Sequence, residues 1–502
     1  MLFNSYLFVF IFLPLTMLLW YGLGRLGLPR MVQTALVCMS LWFYGYGHVE
    51  YIALILASVL GNYVCSCLMG IVERRNAKIQ WMKHAVGVIG IAFDLGLLFY
   101  FKYYDFFIQN VNQLTGAGWA FKNIALPLGI SFFTFQQISF LADRMMGEAR
   151  NYGILDYLNY VTFFPQLVAG PIVNHRDLVP QFVRVGQGEL RTSLSSVEKG
   201  ASLFIAGLAK KVLLADKLGV VVDFGYADVA GLDGISAVIV MLAYTFQIYF
   251  DFSGYCDMAV GLGWLLQIDL PQNFDSPYKS HSVQEFWRRW HMTLNAFFTK
   301  YVYIPLGGSR RGKVRQLVNI MIVFLLSGIW HGAAWTFVLW GVLHGVMLCV
   351  EHIFSDFILT ERVKEWGERP ALRMLRWCYT FGFVNLAWVL FRSSSVEEAM
   401  LFYRRIFSFS YTGKVWELAE SMRASWNHVV RLILAPYGEN KICLLLLALL
   451  LLVSAILCAR RNAYRWISET TAGVGRMWLL AFLFALCVVS FSDVTTFLYF
   501  NF

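Results

Sequence analysis

Long apolar runs separated by short polar connections follow one another along nearly the whole chain. The longest run lacks Asp, Glu, Lys and Arg over the 35 residues 316–350, which is enough for two membrane crossings at about 20 residues each. The other runs occupy residues 1–24, 31–49, 51–72, 85–101, 124–142, 157–174, 234–250, 377–391, 442–459 and 477–492. Their lengths predict an all-α, polytopic integral membrane protein with about eleven or twelve membrane segments.

Two of these runs have features beyond their length. Residues 157–174 contain Pro165, Gly170 and Pro171, which interrupt helices and predict a broken or re-entrant segment lining protein rather than lipid. Residues 1–24 lack a basic start and a small-residue cleavage site. We therefore expect a retained first helix rather than a signal peptide.

The composition excludes an ordinary soluble protein. Hydrophobic residues make up 58% of the chain and charged residues 14%, with a mean hydropathy of +0.58, whereas a soluble domain typically has about 25% charged residues. Nine cysteines are scattered, and the close pair Cys65 and Cys67 lies in an apolar run, which favours a packing role. Their spacing predicts neither a disulfide framework nor a metal site. We find no internal repeat and no soluble segment, so we expect one membrane domain over residues 1–502.

The positions of the basic residues predict the orientation in the membrane. Lys and Arg follow the first and third apolar runs and precede the last one. Because these residues favour the cytoplasmic side, both termini are predicted to lie outside the cytoplasm. The net charge of +10 is thus a topology signal. We expect no nucleic-acid binding, since the basic residues lie in short loops and form no separate domain.

One histidine lies inside the longest uncharged run. His331 is preceded by Gly328 and followed by Gly332, and glycines allow backbone or a ligand to come close. An ionisable group in a membrane segment usually faces a cavity where it acts. A simple hairpin turning near Ala333 would place His331 close to a membrane surface. A deeper location requires that the surface dips inward or that the helix breaks near Gly332.

A basic and aromatic segment covers residues 279–315. It has eight basic residues against the single acid Glu285, interleaved with Trp and Tyr, which favour the membrane interface. Such a segment suits either anionic lipid headgroups or the phosphates of a nucleotide-bearing thioester. The candidates for donor binding are Trp287, Arg288, Arg289 and Trp290. We interpret the following His291 as functional, because a membrane anchor does not require imidazole.

Other polar motifs are interpreted as structural. The glycine-rich residues 307–312 lack the Lys-Ser/Thr of a nucleoside-triphosphate site and predict a flexible turn. Asp251 and Asp257 follow an apolar run and could orient a histidine or cap helices. They are six residues apart and lie on different helical faces, and helix capping around Ser253 and Gly254 is slightly favoured. Polar side chains in residues 127–137 predict hydrogen bonds between helices.

The remaining histidines considered have no companion residues that set them above core or interface positions. They are His175, His344, His352 and His428. The surroundings of His344 partly echo those of His331.

Two buried histidines along one pathway suit general-base activation of a hydroxyl group. Burial lowers the pKa of a histidine and keeps it neutral, and therefore basic, near pH 7. The residues alone thus indicate a membrane enzyme or a transporter that uses His331. A transporter should show paired carboxylates in its membrane segments, and only Asp94 lies well inside one, which favours the enzyme.

Four ordered motifs resemble the membrane-bound O-acyltransferase family. They are Phe-Pro-Gln-Leu-Val-Ala-Gly-Pro at 164–171, Tyr-Phe-Asp-Phe-Ser-Gly-Tyr at 249–255, Phe-Trp-Arg-Arg-Trp-His at 286–291 and Trp-His-Gly at 330–332. The branch that the chain most resembles is the alginate O-acetyltransferase-like group of bacterial polysaccharide O-acetyltransferases. The resemblance runs nearly end to end, with a family core at about 100–355, extra helices at 374–492 and an aromatic tail at 493–502.

The resemblance implies a reaction and its residues. His331 matches the signature histidine, which acts as general base, and His291 matches the second histidine. An acetyl group from a cytoplasmic thioester, expected to be acetyl-CoA, would pass through a central tunnel toward an extracytoplasmic polysaccharide such as alginate, cellulose or peptidoglycan. Tyr499 matches an aromatic carboxy-terminal motif that carries the acyl group outward, and an interfacial tyrosine would match equally well.

The same resemblance implies the setting of the enzyme. It predicts a bacterial inner-membrane protein in contact with lipids, without a permanently bound cofactor or metal. An acyl-CoA or acyl carrier would be the cytoplasmic partner, and an extracytoplasmic acetyltransferase would complete the transfer. D-alanyl transfer from a carrier protein to teichoic acid, typical of a neighbouring branch, stays an alternative, as does a transporter with His331 as proton relay.

Overall fold

The computed structural model describes residues 1–74, 80–190, 193–357, 369–425, 439–471, 473–491 and 497–498, and these residues form helices and connecting segments without a β-strand. The first helices are α1 (Leu13–Arg25), α2 (Pro29–Gly45), α3 (Glu50–Glu73), α4 (Gln80–Leu98), α5 (Tyr104–Thr115), α6 (Ile130–Met145), α7 (Ile154–Thr162), α8 (Phe164–Leu167), α9 (His175–Gly186), α10 (Leu194–Ala209) and α11 (Asp216–Ala227). The later helices are α12 (Gly234–Leu265), α13 (Val283–Arg289), α14 (Met292–Phe298), α15 (Lys313–His331), α16 (Trp335–Phe357), α17 (Pro370–Arg392), α18 (Val396–Ile406), α19 (Lys414–Ser421), α20 (Glu439–Ala459), α21 (Ala463–Glu469) and α22 (Val474–Val489). The all-α prediction is confirmed.

Eight helical stretches in this described part are long and apolar enough to cross a membrane. They are Phe8–Arg25, Glu50–Glu73, Gln80–Thr115, Gly234–Leu265, Lys313–His331, Trp335–Ser355, Pro370–Arg392 and Asn440–Ala459. The chain is therefore a multi-pass membrane protein. Fewer stretches qualify than the apolar runs predict, because α2, α6 and α22 have only 17, 16 and 16 residues and one further run is broken.

The broken run is residues 157–174, as predicted. Helix α7 ends at Thr162, and the short α8 ends at Leu167. A Cβ on Gly170 would lie 2.3 Å from the Cα of Gln166, so the chain can turn this tightly only with glycine. Residues 159–173 are all buried, which agrees with a segment that packs on protein rather than lipid.

The chain divides into two compact units. One consists of Met1–Phe204 with Cys256–Pro271, and the other of Ile205–Tyr255 with Gln272–Phe502. The description as a single membrane domain stays a prediction.

Polar side chains connect the helices of the first unit. The Gln137 amide on α6 donates to Ser58 Oγ on α3 at 2.8 Å. The Asn62 amide on α3 donates to Asp94 Oδ1 on α4 at 2.7 Å. Hydrogen bonds of this kind stabilise helix pairs in membranes, and the scaffold role predicted for residues 127–137 is confirmed for Gln137.

The second unit contains the hairpin predicted for residues 316–350, formed by α15 and α16. Gly328 and Gly341 lie where these helices cross, and a Cβ on either would lie 2.4 Å from a backbone carbonyl oxygen of the other helix. Small residues at such crossings allow close backbone packing. The uncharged run is therefore a tightly packed helix pair.

The hairpin turns over residues 332–334, between the end of α15 and the start of α16. Helix α15 ends at His331, and Gly332 is extended. A Cβ on Gly332 would lie 2.1 Å from the Phe337 ring, so a larger residue has no room there. The hairpin is therefore the simple one expected to turn near Ala333, and His331 is the last helical residue before that turn.

Capping by Asp251 is wrong. Helix α12 continues to Leu265, so Asp251 lies in its interior and is buried. Its Oδ1 accepts a hydrogen bond from Lys211 Nζ at 2.6 Å, and a charge with such a partner does not have to end a buried helix. Asp94 is thus not the only carboxylate inside a candidate span.

The glycine-rich residues 307–312 form a turn, as predicted. Gly307, Gly308 and Gly312 have φ angles of 106°, 55° and 89°, a region that favours glycine. The buried Asn319 amide on α15 donates to the Gly308 carbonyl at 3.0 Å, which holds the turn against the helix that follows it.

Candidate active site

His331 lies at the end of α15, with 3% of its surface exposed. Its ring centroid is 5.1 Å from that of Trp340 and 5.1 Å from that of Phe391. The ring of the preceding Trp330 is 5.0 Å away. The imidazole is therefore buried among aromatic side chains.

His291 belongs to the same group of rings. Its centroid is 6.1 Å from that of Trp330, and Trp330 also contacts His331. The structure thus brings the two predicted histidines together on one indole. We refer to His291, Trp330, His331, Trp340 and His344 as the histidine cluster.

The backbone at His291 is in the left-handed conformation, with φ 46° and ψ 52°, between α13 and α14. This region costs a non-glycine residue about 1–3 kcal/mol and persists only where the surroundings impose it. Here the Met292 N–H donates to the Asn273 carbonyl at 3.0 Å, and the Asn295 N–H donates to the His291 carbonyl at 3.1 Å. Strain of this kind concentrates at functional sites.

The hydrogen bonds around His291 show which of its two ring nitrogens carries the proton. Asn273 Oδ1 accepts from the Thr293 N–H at 3.2 Å and from its hydroxyl at 2.9 Å, which identifies this atom as an oxygen. His291 Nδ1 lies 3.2 Å from the same oxygen and must donate to it. Nε2 therefore carries the lone pair. Burial lowers the pKa of His291 to about 3, so the ring is a neutral acceptor at physiological pH.

His344, which the sequence analysis placed with the core histidines, also belongs to the cluster. Trp287 Nε1–H donates to His344 Nδ1 at 3.2 Å, so the proton of the neutral ring is on Nε2. That nitrogen is buried and has no hydrogen-bond partner within the described part of the chain. The ring also contacts Trp340 at 4.8 Å. The cluster thus contains an acceptor at His291 and a donor at His344.

A sequence signal for His344 exists. The pattern Gly-x-x-His-Gly occurs at residues 328–332 and again at 341–345. The hairpin brings the two copies together, because the first glycines of the two patterns meet at the crossing of α15 and α16. The pattern therefore marks helix packing and a buried histidine at once.

The predicted donor-binding side chains have different surroundings. Arg288 is exposed. Arg289 is held by acids, with its guanidinium 2.9 Å from Glu285 and 3.8 Å from Asp275. Trp287 and Trp290 are buried, the latter to 1% exposure. Of the four, Arg288 is the side chain best placed to bind a ligand from solution, and the donor-binding roles stay predictions.

Trp290 packs in the aromatic interior of the second unit. Its ring centroid is 5.0 Å from that of Trp388 and 5.5 Å from that of Phe286. Trp388 in turn stacks on Trp340 at 5.8 Å. The basic and aromatic segment is therefore connected to the histidine cluster by ring contacts.

A buried histidine of the first unit also has partners that the sequence did not reveal. His175 Nε2 lies 3.0 Å from Asp143 Oδ2, with both side chains fully buried. The Tyr152 hydroxyl lies 2.8 Å from His175 Nδ1. These bonds join the end of α6 to the start of α9, and we interpret them as structural. Residues 32 positions apart in sequence carry no spacing signal for such a pair.

Two of the residues singled out from the sequence are not among the described ones. Tyr499 and His428 lie outside the described residues, and the acyl-carrier role of Tyr499 stays a prediction. Among the residues that the structure describes, no group of three or more His, Cys, Asp and Glu side chains is arranged to hold a metal ion.

Comparison with known proteins places this site in a family. The model of MBOAT, the membrane-bound O-acyltransferase family, matches residues 50–393. The peptidoglycan O-acetyltransferase of Helicobacter pylori (strain ATCC 700392 / 26695) is 36% identical over 535 aligned positions, which cover 100% of this chain and 98% of the relative. The probable alginate O-acetylase AlgI of Pseudomonas aeruginosa is 35% identical and covers 85% of this chain and 78% of the relative.

A more distant similarity links the chain to another reaction. The teichoic acid D-alanyltransferase of Bacillus subtilis (strain 168) is 26% identical over 277 aligned positions, or 54% of this chain and 69% of the relative. The family model covers more than half of the chain, including all four motifs and both predicted histidines. This chain therefore belongs to the membrane-bound O-acyltransferase family and is an O-acyltransferase.

Proposed function

We propose that this enzyme transfers an acetyl group from a cytoplasmic thioester, acetyl-CoA, toward an extracytoplasmic polysaccharide, with His331 as general base. The observation that carries the proposal is the burial of His331 and His291 in one aromatic cluster, where Trp330 contacts both rings. A buried imidazole with a lone pair on one nitrogen is the kind of group that takes a proton from a hydroxyl group in general-base catalysis.

The proposed step balances without a further reactant. The His331 lone pair accepts the proton of the acceptor hydroxyl as its oxygen bonds to the acetyl carbon. The C–S bond then breaks, the electron pair leaves on sulfur, and the thiolate takes the proton from the imidazolium. An ester and a free thiol result, and His331 is neutral again. His291, a neutral acceptor, is proposed as the second catalytic or positioning group.

The relatives support acetyl transfer to a cell-envelope polymer. The Helicobacter protein is a peptidoglycan O-acetyltransferase that aligns over 100% of this chain, and the Pseudomonas protein is a probable alginate O-acetylase. The teichoic acid D-alanyltransferase aligns over only 54% of the chain. The additional helices after residue 439 favour the acetylating branch.

An outward transfer requires a carrier and an orientation. We propose that Tyr499 accepts the acetyl group as a phenyl ester and presents it outside to a partner acetyltransferase, which delivers it to the polysaccharide. The bias of Lys and Arg supports the orientation, since it favours an inner-membrane topology with both termini outside the cytoplasm. A transfer directly from the thioester to the polysaccharide would make Tyr499 dispensable.

The donor assay tests the proposal. The purified full chain in lipid vesicles is supplied with radiolabelled acetyl-CoA on the side of the basic loops and with peptidoglycan, alginate or cellulose oligosaccharides on the other. We expect labelled O-acetyl esters on protein or oligosaccharide. Labelling only from a D-alanyl-loaded carrier protein would assign the chain to the neighbouring reaction. Movement of solute without covalent acylation would contradict enzymatic transfer.

Arg288 and Arg289 provide a matched pair for donor binding. Replacing Arg288 by alanine is expected to raise KM for acetyl-CoA about tenfold at unchanged kcat, because a charge-assisted bond to a phosphate is lost. Arg289 is already paired with Glu285 and Asp275, so Arg289→Ala should lower thermal stability with little change in KM. Steady-state kinetics and thermal unfolding measure both effects. An unchanged KM for Arg288→Ala would remove this residue from the donor site.

A further inference from the structure

The last described residues, Phe497 and Leu498, form the chain end referred to below, and they pack onto a buried ion pair in the second unit. Phe497 is 1% exposed, and its ring contacts Tyr255 with centroids 4.7 Å apart. Lys211 Nζ lies 4.6 Å from the centroid of the same ring, a cation–π distance. The next residue, Leu498, donates its backbone N–H to Asp251 Oδ2 at 2.9 Å. The chain end therefore has both an apolar anchor and a polar one.

The ion pair itself is held rigidly. Lys211 Nζ lies 2.6 Å from Asp251 Oδ1 and 2.7 Å from Asp216 Oδ1, and all three side chains are at most 5% exposed. Burial opposes the positive charge, but the carboxylates of Asp251 and Asp216 outweigh it and raise the pKa of Lys211. The ammonium group therefore stays charged and fixes one carboxylate oxygen of Asp251, which leaves the other oxygen to the Leu498 amide.

Close helix packing explains why the pair forms at this place. A Cβ on Gly254 would lie 2.8 Å from the Gly207 carbonyl oxygen and 3.3 Å from the backbone nitrogen of Lys211. Glycine at 254 thus allows α12 to approach the segment around Lys211, and Asp251 lies almost one turn earlier on α12. Asp251 and Tyr255, which contact the chain end, are four positions apart, so their side chains lie on one face of α12.

The same turn of α12 also contacts the histidine cluster. Phe252, adjacent to Asp251, packs edge-on against His291 with ring centroids 4.8 Å apart. One face of this turn therefore contacts the chain end, and a neighbouring face contacts a proposed catalytic group. A displacement of the chain end would therefore change the surroundings of this turn of α12 and of His291, which packs against it.

We propose that the buried Lys211–Asp251 pair is the docking site of the carboxy-terminal segment and that Asp251 is a positioning residue for it. The inference rests on the proposed function in one respect, namely that the docked segment carries Tyr499 as acyl acceptor. Asp251 takes no part in bond formation. Its carboxylate accepts the Leu498 N–H and so fixes the backbone one residue before Tyr499 in the sequence.

Hydrogen–deuterium exchange of the full chain in lipid nanodiscs tests the docking without any activity. In the wild type the Leu498 amide should be protected, and Asp251→Leu should accelerate its exchange at least about tenfold, since a hydrogen bond to a charged acceptor is lost. Asp233→Asn is the matched control, because Asp233 is a buried carboxylate of the same unit that accepts the Thr412 N–H at 2.7 Å. It should leave Leu498 protected.

A second variant covers the case in which Asp251→Leu does not fold. Phe497→Ala leaves the Lys211–Asp251 pair intact and removes the apolar anchor, so it should also accelerate exchange at Leu498. Fast exchange in the wild type, or protection that survives both variants, would overturn the docking proposal.

Acetyl transfer then distinguishes positioning from mere stabilisation. Asp251→Leu should lower delivery of acetyl groups to the extracytoplasmic acceptor in the full chain, whereas the control variant Asp233→Asn should not. Equal losses in both variants would contradict the positioning role. A protected tail in a protein without acetyl transfer would reject the proposed function and leave the docking site standing.

Discussion

Replacing His331 by alanine is expected to lower the rate of acetyl transfer by about 10²–10⁴-fold, the usual contribution of a general base. His331 is part of the Trp-His-Gly motif and packs against Trp340 and Phe391. Single-turnover kinetics with labelled acetyl-CoA measure the effect on the chemical step. KM for the donor should change little, because the imidazole acts on the hydroxyl group.

His352 on α16 is the matched control for this variant. It is a half-buried histidine whose Nδ1 bonds to the Leu348 carbonyl at 2.9 Å, and it lies outside the histidine cluster. His352→Ala should retain acetyl transfer. A folded His331→Ala protein with the wild-type rate would remove His331 from the mechanism and the proposal with it.

Replacing His291 by asparagine is expected to lower acetyl transfer by about 10²-fold if its imidazole acts on a proton. Asparagine tolerates the left-handed backbone better than other side chains do, so this variant removes the ring while keeping the conformation at φ 46°. His291→Ala removes the ring and adds backbone strain. It should therefore match the asparagine variant in rate but unfold at a lower temperature.

Wild type and His291→Asn together also test how stability depends on pH. The pKa of His291 is lowered from 6.5 to about 3 in the folded chain, so between these values the unfolded chain binds the extra proton. Stability must then fall as the pH is lowered from 6.5 toward 3, by up to about 1.4 kcal/mol per pH unit for one proton. The thermal unfolding temperature of wild type should decrease more steeply over this range than that of His291→Asn. Parallel decreases would show that His291 is not held neutral.

Much of the fold follows from local pattern. The uncharged run 316–350 became the α15–α16 hairpin, because its length suits two crossings and glycines sit at the point of closest approach. The broken segment at 157–174 was readable because proline and glycine interrupt a helix wherever they occur. The apolar runs at 31–49 and 124–142 also became helices, α2 and α6, although these end after 17 and 16 residues.

The partners of buried polar groups could not be predicted from local sequence pattern. Local pattern predicts a cap at Asp251 because its charge follows an apolar run, whereas the partner Lys211, 40 positions earlier, allows α12 to continue. Likewise His175 acquires its role from Asp143. A pairing between distant positions depends on helix packing, which a single sequence does not encode in any short-range spacing.

By itself the sequence determined the membrane class, the helical fold, the family motifs and the two histidines, because hydrophobic length and short motifs are local properties. Tertiary structure decided which rings surround His331, which nitrogen of His291 carries the proton, that His344 joins the cluster, and that the chain end docks on Asp251. These depend on contacts a few ångströms long between residues far apart in the chain, which form only when the helices have packed.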